Sequence, residues 1–233
     1  MNKAEIPQTL VLYHARSGLT SMRKILSYAF IGVVGLAIAG WLRQRRRPIP
    51  TPPQLTFLFE NPLVEAFAGS ELLVERLGLA PGMRVLDAGC GPGRLTIPVA
   101  KAVEPSGEVI ALDSQRAMLE KLERRLEAEI ISNVRTLEAG LGEGALEREA
   151  FDRVLLAFVL GEVRDRGAAA RELYAALKPG GILSVTEIFG DPDYRRPASV
   201  RHEVEPAGFE LVERFGGFPA YTLNFQRPEN VAT

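Results

Sequence analysis

Cysteine is nearly absent: Cys90 is the one cysteine in 233 residues. That excludes an internal disulfide and any metal site built from a cysteine cluster. Histidine is almost as scarce, with only His14 and His202, so no structural zinc site is expected. Net charge is close to nil, at −1, but it is unevenly spread. Residues 1–53 carry eight basic residues and a single acid, Glu5, whereas the remainder carries 20 basic and 28 acidic residues. An acidic main part disfavours nucleic acid as a partner, because neutralising phosphates needs a basic footprint. Apolar and aromatic fractions of 46% and 7% are those of a globular protein. The length suits one moderate domain plus extras.

The basic end has an explanation of its own. Residues 25–42 are an uncharged, apolar run that reaches the length of a transmembrane helix. Tyr28 and Trp41 sit near its two ends, where interfacial aromatics belong. Arg23 and Lys24 precede it, and Arg43, Arg45, Arg46 and Arg47 follow. A cleaved signal peptide is one alternative, with Ala37-Ile38-Ala39 as its cleavage site. A buried core helix is another, but a helix apolar all round needs a larger surrounding domain than residues 1–60 provide. A single membrane span fits better. The arginine excess on its C-terminal side orients the following domain to the cytoplasm. Ala29, Gly32, Gly35 and Ala39 offer a small-residue face, which suggests a weak homodimer through the span. Residues 48–53, rich in proline, read as a stiff spacer, while the arginines before them suit anionic lipid headgroups. The chain thus divides into a tail (1–24), a span (25–42), a basic and Pro-rich linker (43–53) and a domain (54–233).

That domain is organised around Val85-Leu86-Asp87-Ala88-Gly89-Cys90-Gly91-Pro92-Gly93-Arg94-Leu95-Thr96. Residues 83–86 are β-compatible, three glycines follow, and Leu95, Val99, Ala100 and Val103 then recur at helical spacing. A strand, a glycine turn and a helix start bring bare backbone N–H groups and the positive end of a helix dipole close to a ligand. The dinucleotide fingerprint G-x-G-x-x-G is not met, because Arg94 stands at its third glycine and the extra glycine falls at Gly93.

The run Asp87-x-Gly89-x-Gly91-x-Gly93 instead resembles motif I of the class I S-adenosylmethionine (SAM) methyltransferases. The resemblance extends over about residues 80–228. It implies an α/β, Rossmann-like fold: a mostly parallel seven-stranded sheet with a terminal antiparallel pair, here preceded by one transmembrane helix. It also implies SAM as cofactor, which argues against export through a signal peptide. Asp87, Gly89, Cys90, Gly91 and Gly93 are then the cradle of its methionyl part. Asp113 ends a second apolar strand (108–113) and would take the ribose hydroxyls, with Ser114 beside it as a candidate helix N-cap. A helix over 114–130 carries Met118, Leu119, Leu122 and Leu126 on one face.

After a third strand (134–139) relatives of this type place an acid against adenine, whereas this chain has Gly140, with Glu138 and Glu143 nearby. The Leu141 backbone N–H is a substitute. Residues 151–158 match the family's fourth strand, with Phe158 at its mouth beside the reactive methyl. Lys178-Pro179-Gly180-Gly181 matches the turn before its fifth strand, 182–188. Two last strands (209–215 and 221–226) join across Gly216-Gly217-Phe218-Pro219. Helical segments over 55–67 and 71–77 precede the first strand.

Methyl transfer from a sulfonium needs orientation and a dry site, and a base only where the nucleophile starts protonated. Glu162 is the first candidate base, equally readable as a solvated helix-start acid. Glu187 is a second, equally readable as an exposed strand-end acid. Tyr194, Arg195 and Arg196, in the stretch 190–197, suit an anionic headgroup or a plain surface loop. An anchored enzyme of this kind points to the lipid bilayer and a small amphiphilic acceptor, a quinone precursor or a phospholipid, as partners. A membrane-protein side chain as acceptor, or SAM binding without turnover, are the alternatives.

Overall fold

The computed structural model describes residues 62–229. The expected tail, span, linker and first part of the 55–67 helix lie outside the described residues. Among the described residues no helix is long and apolar enough to cross a membrane.

Seven strands form one sheet: β1 (Arg84–Ala88), β2 (Glu108–Asp113), β3 (Val134–Glu138), β4 (Phe151–Ala157), β5 (Leu177–Ile188), β6 (Glu210–Gly216) and β7 (Ala220–Gln226). Their order is β3-β2-β1-β4-β5-β7-β6. β7 alone runs against its neighbours, pairing antiparallel with both β5 and β6. Chain order reverses at β1, which lies between β2 and β4, and the crevice at such a switch point is where open α/β sheets bind ligands.

Among the described residues six α-helices accompany the sheet: α1 (Pro62–Ala68), α2 (Ser70–Leu77), α3 (Thr96–Val103), α4 (Arg116–Glu129), α5 (Arg166–Ala176) and α6 (Pro197–Val204). The parallel strands read as apolar runs because both of their faces are covered. On one face Val85, Val109 and Leu155 pack against Leu73 and Leu77 of α2 and Val99, Ala100 and Val103 of α3. On the other, Leu86, Val154, Leu156 and Val185 meet Leu173 of α5 and Val200 and Val204 of α6. Met118, Leu119, Leu122 and Leu126 are the buried residues of α4, as their spacing dictates.

Two boundaries differ from the sequence reading. Lys178 to Gly181, read as a turn before β5, lie within a longer strand starting at Leu177, where they interrupt the pairing with β4: it passes from Phe151–Leu177 to Arg153–Ile182, with Gly180 at φ +78°. The extension is held by the Gly180 N–H donating to the Arg227 carbonyl at 2.8 Å and the Arg227 N–H donating to Gly181 at 2.9 Å. Ser114 does not cap α4. Gln115 holds the N-cap position but its side chain makes no capping bond, and Asp113 Oδ1 accepts the Gln115 N–H at 2.8 Å. Asp165, by contrast, caps α5 through the Ala168 N–H.

Candidate active site

The glycine turn leaves β1 and is pinned at once to β2, since the Gly89 and Cys90 N–H groups both donate to the Leu112 carbonyl, at 2.7 and 2.9 Å. Gly89 has φ +77° and a Cβ there would stand 2.4 Å from Val159. No other residue fits that turn without displacing the loop after β4. Gly91 is different: its φ is +53° and nothing lies within 4 Å of where a side chain would begin. Its outer side is open to a ligand.

Asp113 links the two halves of the crevice. Its Oδ2 accepts the Gly91 N–H at 3.0 Å while Oδ1 accepts that of Gln115. Burial raises its pKa, and these two N–H bonds pull it back. Each oxygen keeps a further lone pair for a ligand hydroxyl. Asp87 is also buried, with Oδ2 accepting from Thr96 Oγ1 at 2.6 Å. Burial lifts its carboxyl to about 6, against the Thr96 bond and the Arg94 charge. The Cys90 thiol is pushed up by burial and by both aspartates, so it stays a neutral, small filler.

These groups line a cavity of about 430 Å³ at the C-terminal ends of β1, β2 and β4, within the range of small-molecule sites. Asp87, Gly89, Cys90, Gly91, Asp113 and Ser114 form one side, and Gly140, Leu141, Phe158 and Glu162 the other. Gly93 is not in the wall. A Cβ on it would stand 2.4 Å from Leu122, so this glycine serves the packing of the turn on α4 rather than a ligand contact.

At the far end Glu143 reaches the cavity, and its Oε2 accepts the Gly140 N–H at 3.0 Å. Glu138 is exposed on the edge strand β3. A turn that the strand pattern did not foretell thus brings a carboxylate to the wall beside Gly140, three residues after it. Phe158 adopts φ +63°, rare for an aromatic residue. Arg94 explains part of its setting: the guanidinium stands 5.3 Å over the Phe158 ring and donates to the Ala68 carbonyl at 3.0 Å. In the sequence Arg94 was only the residue that broke a dinucleotide fingerprint; its place directly after the last glycine was the available signal.

Glu162 ends the short 3₁₀ turn Leu160–Glu162, half-buried at the mouth of β4. Glu187 is not the exposed strand-end acid of the alternative reading, for it is 1% exposed and outside the cavity wall. Its Oε2 accepts the Arg195 N–H at 3.2 Å, Oε1 has no hydrogen-bond partner among the described residues, and burial pushes its pKa well up. Arg195 is likewise unavailable to a headgroup, being ion-paired with Glu203. Tyr194 packs edge-on against Phe189 and Tyr221.

Comparison with known proteins agrees with this geometry. Residues 85–181 match the family of the methyltransferase domain. The ubiquinone/menaquinone biosynthesis C-methyltransferase UbiE of Vibrio vulnificus is 37% identical over 140 residues, 60% of this chain and 52% of the relative. A demethylmenaquinone methyltransferase of Geobacillus is 33% identical over 114 residues, 49% of each chain. The crystal structure of a SAM-dependent methyltransferase from Aquifex aeolicus superposes with a TM-score of 0.70 at 22% identity, over 76% of this chain and 99% of that one. Residues 85–181 thus carry a methyltransferase domain, on a fold shared with SAM-dependent methyltransferases. The chain spans about half the length of the curated relatives it matches.

SAM is the cofactor of this methyltransferase fold, and the walls suit it. The open Gly91 backbone and the Asp87 carboxylate face the crevice for a cationic amino-acid portion. Asp113 offers paired acceptors for vicinal hydroxyls, and Glu143 an acceptor for an exocyclic amine.

Proposed function

We propose that this chain is a SAM-dependent methyltransferase of an amphiphilic small molecule, and that the acceptor is a quinone precursor rather than a phospholipid. The relatives named for ubiquinone and menaquinone biosynthesis support the quinone class. The observation that carries the reading is the crevice itself, in which a carboxylate-lined nucleotide half opens beside an apolar mouth at Phe158, Val159 and Val163. An electron-rich ring lies flat against such a mouth, and exclusion of water there protects the transfer.

Bound SAM supplies a methyl group already activated on a sulfonium. The chain's part is to hold the donor and the ring in line and to remove the proton that a ring carbon loses when its new C–C bond forms. Glu162, on the cavity wall at the β4 mouth, is the acceptor of that proton. Glu187 is excluded from the role by its burial away from the cavity. We place the enzyme on the cytoplasmic side of a bilayer, held by residues 25–42, which draws a lipid-soluble acceptor and a water-soluble donor to one site.

The test is transfer of labelled methyl from SAM by the full chain to a membrane extract. Label in a quinone fraction of the organic phase supports the reading. Label in phospholipid or in precipitated protein replaces the acceptor, and SAM binding without label in any fraction ends the catalytic reading.

A further inference from the structure

Five large apolar residues are exposed among the described residues: Phe67, Ile130, Phe189, Val212 and Phe218. All three phenylalanines lie at one edge of the sheet. Phe189 follows β5 at its C-terminal end, and Phe218 lies in the β6–β7 hairpin, whose turn meets that same end through the Ile188–Ala220 pair. Phe67 is on α1, whose Val64 and Ala68 pack with Ile188, Ala220 and Phe158. This is the edge at which the cofactor cavity opens, and Phe158 belongs to both.

The patch is held in shape. Phe189 and Phe218, 60% and 83% exposed, stand with ring centroids 5.2 Å apart. The Phe189 N–H donates to the Pro219 carbonyl at 2.7 Å, which joins the two loops. Phe189 leans on Tyr194, which leans on the buried Tyr221. A wedge of exposed rings braced from beneath is costly in water and marks a contact surface.

Its occupant follows from where the chain enters. α1 is the first described element and sits on this edge. Nineteen residues separate it from the apolar run 25–42 and include four arginines. We infer that the Phe189–Phe218 wedge, with Phe67 beside the point of entry, rests in the bilayer interface and turns the mouth of the cavity toward the lipid. Aromatic side chains favour that interface, and the tethered domain then takes its acceptor directly from the membrane. The inference rests on the amphiphilic-acceptor reading above.

The experiment uses the full chain in phosphatidylcholine–phosphatidylglycerol vesicles with or without brominated acyl chains, which quench tryptophan on contact. Trp41→Phe removes the native indole, and Phe218→Trp places one in the wedge. Ile130→Trp, 91% exposed at the end of α4 on the opposite edge, is the control. Phe189→Trp is a second reporter, and SAM binding verifies the fold of each variant. The expected result is at least a twofold loss of emission at position 218 or 189 and none at 130. No quenching at 218 and 189, or equal quenching at 130, overturns the inference. Quenching needs no acceptor or turnover: methyl transfer without it removes the wedge alone, and quenching without transfer removes the acceptor reading alone.

Discussion

The Arg94 guanidinium joins three elements: it belongs to the glycine turn, covers the Phe158 ring at the mouth of β4 and donates to the last carbonyl of α1 at Ala68. α1 is thereby latched to the cofactor loop, beside the mouth of the cavity at Phe158. It is a short helix of seven residues that packs through Val64 and Ala68, and the latch adds a polar tie to that contact. Arg94→Met keeps the side-chain stem and loses the charge. A hydrogen bond from a charged group and a cation–π contact are together worth about 1–3 kcal/mol here, so loss of the latch is expected to lower SAM affinity about fivefold or more. Calorimetric titration reads the affinity and stopped-flow the faster release; unchanged release would show that the latch does not gate the cavity.

Asp113 makes a sharper prediction, because both of its oxygens accept backbone N–H groups. Asp113→Ala loses the ribose contact and frees the glycine turn, weakening SAM by about 1–3 kcal/mol. Asp113→Asn is no rescue: whichever way the amide turns, its NH₂ faces an N–H donor of Gly91 or Gln115. The two variants are expected to bind SAM comparably poorly, as measured by titration. An asparagine that binds like wild type would show that hydroxyl recognition does not involve this carboxylate.

The fold was legible in the sequence because its parallel strands are covered on both faces and so read as short apolar runs between glycine turns and amphipathic helices. β1, β2 and β4 and the face of α4 carrying Leu119 and Leu122 followed from that rule. What periodicity could not give were contacts between residues far apart in the chain. Arg94 meets Ala68 across 26 residues. Glu143 returns to the cavity only because the turn after β3 folds back on Gly140. Glu187 looks like a strand-end acid in one dimension, and only the loop from Phe189 to Arg196 folding over it makes it a buried one.

Acid pH separates stability from binding. The carboxyls of Asp87 and Asp191 are each raised to about 6, chiefly by burial. A carboxylate whose pKa rises on folding binds more protons in the native state than in the unfolded one, so it lowers stability as pH climbs between its unfolded pKa and about 6. The ligand-free chain is therefore more resistant to urea at pH 5.5 than at pH 7.5, by an amount on the order of 1–2 kcal/mol. Affinity for cationic SAM moves the other way, since protonating Asp87 removes a negative charge from the cavity: it is full above about pH 6 and falls below. Asp87→Asn flattens the affinity profile and removes about half of the change in stability, leaving the share of Asp191. Denaturant melts and titrations across that range check the sign, and a SAM affinity that rises on acidification would refute the electrostatic assignment.

Glu162 and Glu187 are both carboxylates near the C-terminal end of the sheet, and glutamine substitution tells them apart. Glu187 is buried outside the cavity wall, one of its oxygens has no hydrogen-bond partner among the described residues, and burial pushes its pKa well up, so its setting is not that of a base facing a substrate. Its remaining work is to receive the Arg195 N–H and fix the loop, which a glutamine carbonyl does equally well. Glu187→Gln is thus expected to retain turnover within about threefold, whereas Glu187→Leu leaves that N–H unsatisfied and costs about 1–3 kcal/mol of stability. Glu162→Gln keeps the shape of the cavity wall but removes the proton acceptor, and general-base catalysis is worth about 10²–10⁴ in rate. Turnover of Glu162→Gln should fall into that range with SAM affinity unchanged. A reversed pattern, with Glu187→Gln inactive and Glu162→Gln active, would mean that the loop opens in the working enzyme and that the buried carboxyl is the base.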